Sequence, residues 1–505
     1  MGRTPIDVAL SSGIVRGRST NGVATFLGVP YAAPPVGALR FAEPRPVPAW
    51  SGVREALEPG PSAPQRASTS LASLDVFPVS GARWRRGDDF LTLNVWAPTG
   101  SRSRPVVVYV HGGGLVLGTK DAPAYDGTAF ARDGVVAVGL NYRLGVEGFL
   151  PIPGAPTNLG LRDTIAAFTW VQDDIAAFGG DPANVTVFGE SGGGIAVACL
   201  VTSPLTTELF RRAVIQSGHG SAVYSLHVAR RTVAAVARVL GVPADVEGFG
   251  SADAERCVAA LSRVSRPGRV DLRDEDGVDP SFGLGVVNPV VGDDVLPRHP
   301  LEALAAGAGA DVDVLIGTTA QEANSWFAPT RLDLLPRWAA RWLLGRVAPR
   351  SRALFAAYAD HGPGGPGERG GEVLARVLTD MAFRWPSRQY AEAHQGRTHV
   401  YELDWRSPAA GGRLGAAHGV DLPFVFDTLH TTTGPRGLTG TAPPQDLADH
   451  VHGLWVSYAT DGTLPWPEFD RDARGVYHLS ARAIRREPIM PAAAFTPAAP
   501  HLQQV

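Results

Sequence analysis

The chain has 505 residues, of which 44% are hydrophobic and 19% are charged, and its formal net charge is −3. This balance is typical of a well-packed globular protein and excludes a largely disordered chain. The small net charge gives no reason to expect a nucleic acid or an acidic membrane as a partner. No apolar run approaches the 18 residues of a membrane-spanning helix, and the first residues lack the apolar core of a signal peptide.

Strand patterns come first along the chain. The segments GIVRGRS, VATFLGVPYA and FLTLNVWAP in the first hundred residues predict an antiparallel sheet edge. Short apolar runs without strict alternation follow at 105–110, 135–142, 185–188, 313–317 and 399–405. Such runs are typical of strands buried on both faces, as in a mainly parallel sheet covered by helices. Helical periodicity lies between them, for example over 161–179.

The strand run 105–110 continues into His111-Gly112-Gly113-Gly114. Three residues without side chains allow backbone N–H groups to turn toward a developing oxyanion, as in the HGGG motif of esterases. His111 could itself be a catalytic base, but its place in this motif favours a role in orienting the loop.

A second glycine-rich turn follows the strand run 185–188. Gly189-Glu190-Ser191-Gly192-Gly193 matches G-x-S-x-G, in which a serine occupies a sharp, strained turn between a strand and a helix. Such a turn, hereafter the elbow, exposes the serine hydroxyl at the positive N-terminus of the helix that follows it, the elbow helix. A purely structural glycine turn is the alternative for the pentapeptide alone.

Only two cysteines are present, Cys199 and Cys257. A secreted protein of this size usually carries several paired cysteines, so we expect a reducing, cytoplasmic location. Two isolated cysteines form no metal site, and we expect no metal.

With these motifs the chain resembles the type B carboxylesterases, the family that includes the cholinesterases. The resemblance extends over nearly the whole length and implies an α/β-hydrolase fold with a large, mostly parallel central sheet. We expect a single domain over 1–505, with helical and loop insertions notably within 318–397 and 427–450. The further segments that carry the resemblance are FLGVPYAAPPVGALRF (26–41), DDFLTLNVWAP (88–98), LNYRLGVEGFL (140–150), the block 158–194 that ends in the elbow, QSG (216–218), GTTAQEANSWF (317–327) and HGVDLPFVF (418–426).

The resemblance also implies roles for individual residues. Ser191 would be the nucleophile, Glu322 of the GTxxxE pattern the acid, and His418 of HGxxLPFVF the base. The order serine, acid, histidine is also that of α/β-hydrolases in general. The remaining implied positions are Gly113, Gly114 and Gly192 for the oxyanion hole, Glu190 and Ser217 as supports of the acid–base network, and Leu115, Phe327 and Phe424 in the substrate pocket. No cofactor is implied.

Departures from the family pattern are also visible. Ala63 and Phe90 occupy the positions of a disulfide found in many members, which leaves the loop of residues 66–88 untethered. Leu115 stands where the family commonly has phenylalanine. Two buried ion pairs are implied by position, Arg40 with Asp88 and Arg143 with Asp163.

The predicted function is the hydrolysis of small-molecule carboxylic esters through an acyl-enzyme. A carbamate or amide hydrolase is an alternative, because the same tetrahedral intermediate serves these substrates. A cholinesterase-like binding protein without activity is a second alternative, although such proteins typically lack the serine. The oligomeric state stays open between a monomer and a small homo-oligomer.

Overall fold

The structure, a computed structural model, describes residues 4–100, 102–266, 268–360 and 367–496. Its strands are β1 (Thr4–Leu10), β2 (Gly13–Thr20), β3 (Val23–Pro30), β4 (Val53–Glu55), β5 (Ser70–Leu71), β6 (Leu74–Asp75), β7 (Thr92–Pro98), β8 (Arg104–Val110), β9 (Val136–Leu140), β10 (Gly180–Glu190), β11 (Arg212–Gln216), β12 (Tyr224–Ser225), β13 (Val290–Val291), β14 (Asp313–Thr319), β15 (Thr398–Leu403), β16 (Gly475–His478) and β17 (Ala483–Arg486).

The α-helices lie between and after these strands. They are α1 (Phe77–Ser80), α2 (Thr128–Arg132), α3 (Gly145–Phe149), α4 (Leu159–Asp174), α5 (Gly192–Val201), α6 (Leu226–Leu240), α7 (Val246–Gly250), α8 (Ala254–Val264), α9 (Pro300–Ala305), α10 (Asn324–Thr330), α11 (Arg337–Leu344), α12 (Ser351–Asp360), α13 (Gly370–Thr379), α14 (Trp385–Ala393), α15 (Leu422–Val425), α16 (Leu429–Thr432) and α17 (Gln445–Asp461). A π-helical turn, Asp380–Arg384, joins α13 to α14.

Among the described residues, 13 strands form one large sheet in the order β1-β2-β3-β7-β9-β8-β10-β11-β14-β15-β16-β17, with β4 beside β2. Neighbours from β9 to β16 in this order are parallel. The strands from β1 to β9 on one side pair antiparallel, as do β16 and β17 at the other edge. The predicted mainly parallel sheet with an antiparallel N-terminal edge is therefore confirmed, and the C-terminal hairpin is an addition.

Strand β8 shows why the central runs do not alternate in polarity. Val106, Val108 and Val110 pack into one hydrophobic cluster, whereas Val107 and Tyr109 pack into another on the opposite face. Because helices cover both faces, every position of the strand can be apolar. The predicted helix over 161–179 corresponds to α4 and a following 3-10 turn, Ile175–Phe178.

Helices α10 to α14 are inserted between β14 and β15, and their apolar faces form a separate cluster around Phe355, Leu374 and Phe383. This region lies within the insertion expected over 318–397. No helix among the described residues combines the length and apolar character needed to cross a bilayer.

Of the two expected ion pairs, one is present and one is wrong. Arg143 and Asp163 are fully buried and joined by two side-chain hydrogen bonds of 2.7 and 2.8 Å. Arg40 instead pairs with Glu147 of α3 at 2.9 Å and donates to the carbonyl of Ala252. A buried carboxylate from a distant helix thus replaces the sequence-predicted Asp88, and the guanidinium stays paired as burial requires.

Candidate active site

Ser191 is the single residue between β10 and α5, in the turn predicted for it. Its backbone has φ 56° and ψ −122°, a region that residues with side chains rarely adopt. Such a conformation costs about 1–3 kcal/mol and persists only where its surroundings impose it. Hydrogen bonds from Ser191 N to Gln216 O and from Ile195 N to Ser191 O, both 2.9 Å, hold the turn from either side.

Glycines make this turn possible because the backbone is crowded there. A Cβ on Gly189 would stand 2.4 Å from the carbonyl oxygen of Gly193. A Cβ on Gly193 would stand 2.0 Å from the carbonyl oxygen of Val110 in the neighbouring strand. Both contacts are with backbone atoms, which cannot move aside, so a residue with a side chain does not fit at either position.

His418 and Glu322 are brought together from segments 96 residues apart. The imidazole Nδ1 lies 2.6 Å from Glu322 Oε2, and the carboxylate is fully buried. Glu322 Oε1 accepts hydrogen bonds of 2.7 Å from Thr319 N and from the hydroxyl of Ser217. The two donors on Oε1 therefore fix the carboxylate, and its other oxygen, Oε2, contacts the histidine.

The ring of His418 packs against two aromatic side chains that also stack on each other. Trp326 of α10 and Phe383 of the π-helical turn each lie 5.0 Å from it, centroid to centroid. The hydroxyl of Ser325 donates to the carbonyl oxygen of His418 at 2.7 Å. The helical insertion between β14 and β15 therefore positions the histidine.

The other ring nitrogen of His418 has a carboxylate neighbour too. Nε2 lies 3.2 Å from Oε1 of Glu190, a buried oxygen without a hydrogen-bond partner in the described residues. Burial raises the pKa of Glu190 above its usual range, and the nearby His418 only partly offsets this. For His418, burial alone would lower the pKa, but the carboxylates of Glu190 and Glu322 outweigh it and raise the pKa above its ordinary value.

A third buried carboxyl group was missed by the sequence analysis. Asp421 lies three residues after His418 and accepts a hydrogen bond of 2.8 Å from Gln216. Burial raises its pKa to about 6. Asp421 belongs to the HGVDLPFVF segment (418–426), which carries the family resemblance. Nothing else in the sequence marks this residue as buried, because an acidic residue within a short loop is usually exposed.

The HGGG loop lies against the start of the elbow helix. A Cβ on Gly192 would lie 3.1 Å from Gly114 N and 2.9 Å from Leu115 N, so these backbone groups converge on one point. In the part of the chain that the structure describes, the N–H groups of Gly113 and Gly114 donate to no protein acceptor. They are thus free to bind a negatively charged oxygen.

His111 is placed away from this chemistry. It is buried, stacks on Tyr142 at 4.6 Å between ring centroids, and has Nδ1 2.8 Å from the carbonyl oxygen of Gly112. Burial lowers the pKa of His111 to about 4. A neutral, buried ring in this position supports the loop rather than acting as a base.

A cavity of about 430 Å³ opens beside Ser191, His418 and the HGGG loop. Much of its wall comes from residues 68–80, the loop predicted to be untethered, and from residues 280–288. The first of these segments is held in place by Asp75 N, which donates to Arg436 O at 2.8 Å, and by a hydrogen bond from Tyr125 to Val79 O. Non-covalent contacts therefore hold the loop where relatives were expected to have a disulfide.

None of the three predicted pocket residues is among those that line the cavity. Leu115 is fully buried, and its Cδ2 lies 3.2 Å from the point where a Cβ on Gly192 would stand. Phe327 packs inside the helical insertion, and Phe424 packs on Trp405 at 5.1 Å between ring centroids. The wall residues are their neighbours along the chain, namely Val116, Leu117, Trp326 and Leu422.

A strained serine that shares a cavity with a carboxylate-bound histidine is the arrangement by which α/β-hydrolases activate a hydroxyl group. The fold and the site therefore define a serine hydrolase. Comparison with known proteins narrows this class: the chain belongs to the carboxylesterase family, whose model matches residues 4–487. It is a carboxylic ester hydrolase.

Individual relatives agree with the family assignment. The para-nitrobenzyl esterase of Bacillus subtilis is 34% identical over 502 residues, which cover 95% of this chain and 96% of the relative. A phenmedipham hydrolase of Pseudarthrobacter oxydans is 34% identical, with 92% of each chain covered. The crystal structure of a carboxylesterase from Geobacillus stearothermophilus aligns with a TM-score of 0.81 at 33% identity, covering 97% of this chain and 100% of that one.

Proposed function

We propose that Ser191, His418 and Glu322 are the catalytic triad of this esterase. The observation that carries the proposal is the 2.6 Å contact between His418 Nδ1 and Glu322 Oε2, in the wall of the cavity that Ser191 also lines. The contact fixes the proton on Nδ1 and leaves Nε2 to accept a proton from a hydroxyl group. Glu190 and Ser217 support this network through their contacts with His418 and Glu322.

The reaction then follows from these positions. The Ser191 oxygen attacks the ester carbonyl carbon while Nε2 of His418 takes the hydroxyl proton. Collapse of the tetrahedral intermediate breaks the bond to the alcohol, whose oxygen receives that proton. Water repeats the sequence on the acyl-enzyme and releases the carboxylic acid. The N–H groups of Gly113, Gly114 and Gly192 stabilise the oxyanion in both steps.

The cavity wall disfavours anionic esters. Among the described residues that line it there is no arginine or lysine. Burial lowers the pKa of His219, another wall residue, to about 4, so this side chain is neutral. In the active form, in which His418 is also neutral, a carboxylate on the substrate would lose its hydration without gaining a cationic partner, which is costly. We therefore infer a preference for substrates without an anionic acyl or alcohol group, carbamates included.

The state of the two cysteines supports a reducing location. Cys199 and Cys257 are both buried and unbridged, and burial raises the pKa of each thiol. Ala63 and Phe90 are packed in the main core where a disulfide was expected in relatives. A fold that is stable without a disulfide supports the cytoplasmic location inferred from the cysteine count.

Active-site labelling tests the triad. A fluorophosphonate should add one adduct per chain, on the peptide that contains Ser191, and Ser191→Ala should abolish both labelling and hydrolysis. Ser68→Ala is the matched control, because Ser68 also lines the cavity but only its backbone accepts a hydrogen bond. Labelling elsewhere, or full activity of Ser191→Ala, would contradict the assignment. A panel of p-nitrophenyl esters with one carbamate, one anilide and one anionic ester tests the substrate preference.

A further inference from the structure

Helix α11 presents two tryptophan side chains to solvent. Trp338 is 74% exposed and Trp342 is 61% exposed, and the two lie one helical turn apart on the same face. Leu332 and Leu334, just before the helix, are exposed as well. Large apolar side chains gathered on a surface mark an interaction site, whereas single ones are ordinary.

The same surface is rich in arginine. Residues 331–352 contain six arginines and a single acidic residue, Asp333, which is buried in an ion pair with Arg413. Five of the arginines are exposed, and none of these five forms an ion pair with a described residue: Arg331, Arg341, Arg346, Arg350 and Arg352. In a chain of net charge −3, positive charge therefore predominates in this segment, although the acidic residues Asp274, Glu275 and Asp276 lie in the segment that packs on Val347.

The two features are interleaved. The guanidinium of Arg346 lies 5.2 Å from the ring centroid of Trp342, and Arg341 directly precedes Trp342 in the helix. Tryptophan prefers the boundary between headgroups and acyl chains, where its ring is apolar and its N–H is solvated. Arginines beside it attract anionic headgroups. This combination is typical of helices that lie in a lipid surface.

We propose that the face formed by Leu332, Leu334, Trp338 and Trp342, with its flanking arginines, docks on an anionic lipid surface. A second copy of the chain fits the charge less well, because a two-fold contact would bring each positive patch against its own copy. The net charge of the whole chain indicated no membrane partner, but a net charge averages over the entire surface and does not report a cluster.

The end of the segment that carries the docking face packs against the cavity wall. Asp279 N donates to the carbonyl of Val347, three residues after α11 ends, at 3.0 Å. A Cβ on Gly283 would lie 3.1 Å from Val347 Cγ1. Gly283 lines the catalytic cavity, so the docking face and the cavity are linked through one packed segment.

Vesicle co-sedimentation tests the proposal independently of hydrolysis. The full chain, wild type and Ser191→Ala, is mixed with large vesicles of phosphatidylcholine with or without phosphatidylglycerol, at low and high salt. We expect both proteins to bind the anionic vesicles, with at least about tenfold weaker binding to neutral ones or at high salt. No binding to anionic vesicles, or equal binding to neutral ones, overturns the proposal.

Variants locate the surface. Trp338→Ala/Trp342→Ala and Arg341→Glu/Arg346→Glu should each lower the vesicle partition coefficient about tenfold or more. Arg230→Glu/Arg238→Glu makes the same charge change on exposed positions of α6 and should bind like wild type. Turnover of a soluble p-nitrophenyl ester confirms that each variant is folded. If the tryptophan variant binds vesicles normally but loses a dimer seen by light scattering, the face is a contact between copies and the proposal is wrong.

Discussion

The carboxylate of Glu190 lies 3.2 Å from Nε2 of His418, the ring nitrogen opposite the one that contacts Glu322. The imidazole is therefore placed between two buried carboxyl groups. Each of them favours the imidazolium form, so the pKa of His418 is raised even though burial acts in the opposite direction. In the proposed mechanism, the protonated histidine formed during catalysis is stabilised by the same two groups.

The first prediction concerns pH. Hydrolysis requires neutral His418, and a raised pKa means that the neutral form is lost at a higher pH than usual as the solution is acidified. Glu190→Gln removes one stabilising negative charge, so the pKa of His418 falls and activity persists to lower pH. The acidic limb of the kcat/KM profile should move down by ~1 pH unit.

The control for this measurement is Glu302→Gln, which removes an exposed carboxylate on α9, outside the cavity wall. Its pH profile should coincide with that of the wild type. A profile that stays in place in Glu190→Gln would show that the charge of Glu190 does not act on His418.

The second prediction separates the two carboxylates by turnover. In Glu322→Gln the amide oxygen can still accept from Thr319 N and Ser217, but its NH₂ group then faces Nδ1 of His418. Nδ1 must then become an acceptor, which places the proton on Nε2, where the base must be free. The equivalent change in a serine protease lowers turnover ~10⁴-fold, and we expect a loss of about 10²–10⁴ here.

Glu190→Gln is the comparison for this loss. It leaves the tautomer of His418 unchanged, so turnover at high pH should fall far less than in Glu322→Gln. Circular dichroism and thermal melting establish that both proteins are folded. The reverse ranking, with both folded, would assign the acid to Glu190.

Motifs predicted the segments of the proposed triad because their local chemistry is distinctive. The strained elbow needs glycine at fixed positions, and the sheet needs apolar runs of strand length. The contacts between the segments, by contrast, could not be read from their spacing. Asp421 and the partner of Arg40 became clear only in three dimensions, where Gln216 and Glu147 lie beside them.

The packing of the predicted pocket residues away from the cavity has a common physical cause. Successive residues of a helix point about 100° apart, so Trp326 lines the cavity while its neighbour Phe327 is buried in the insertion. Leu115, the residue after the glycine loop, has a positive φ of 61°, and its side chain packs beneath the elbow helix. A motif identifies a segment, but the rotation of each side chain depends on the tertiary packing.

The third prediction tests the oxyanion loop with two neighbouring glycines. A Cβ on Gly113 would stand 2.0 Å from the carbonyl oxygen of Leu117, so Gly113→Ala must displace the loop and its N–H groups. We expect kcat to fall by ~10² or more, as when an oxyanion donor is lost. Gly114→Ala meets no atom within 4 Å, although its φ of 60° adds strain of about 1–2 kcal/mol. Its kcat should fall much less, and equal losses would argue against a role for loop geometry.

The fourth prediction is redox independence. Because both cysteines are buried and free, dithiothreitol should leave the esterase activity and the melting temperature unchanged. Iodoacetamide should label neither thiol in the native protein but both in denaturant. A clear loss of activity in reductant would show a bridge and would contradict the proposed reducing location.

The last prediction concerns stability. Asp163 accepts hydrogen bonds from the backbone N–H, Nε and one Nη of Arg143, and both side chains are inaccessible to water. Asp163→Asn keeps the size of the side chain but leaves the guanidinium charge buried without a counter-ion. Loss of one partner from a buried pair costs about 3–5 kcal/mol, so the free energy of unfolding should fall by that amount in urea titration. Asp7→Asn is the matched control, since it breaks a pair with Arg16 that is largely exposed, and the midpoint should barely change. Similar midpoints for the two variants would show that the buried pair is not a main support of the fold.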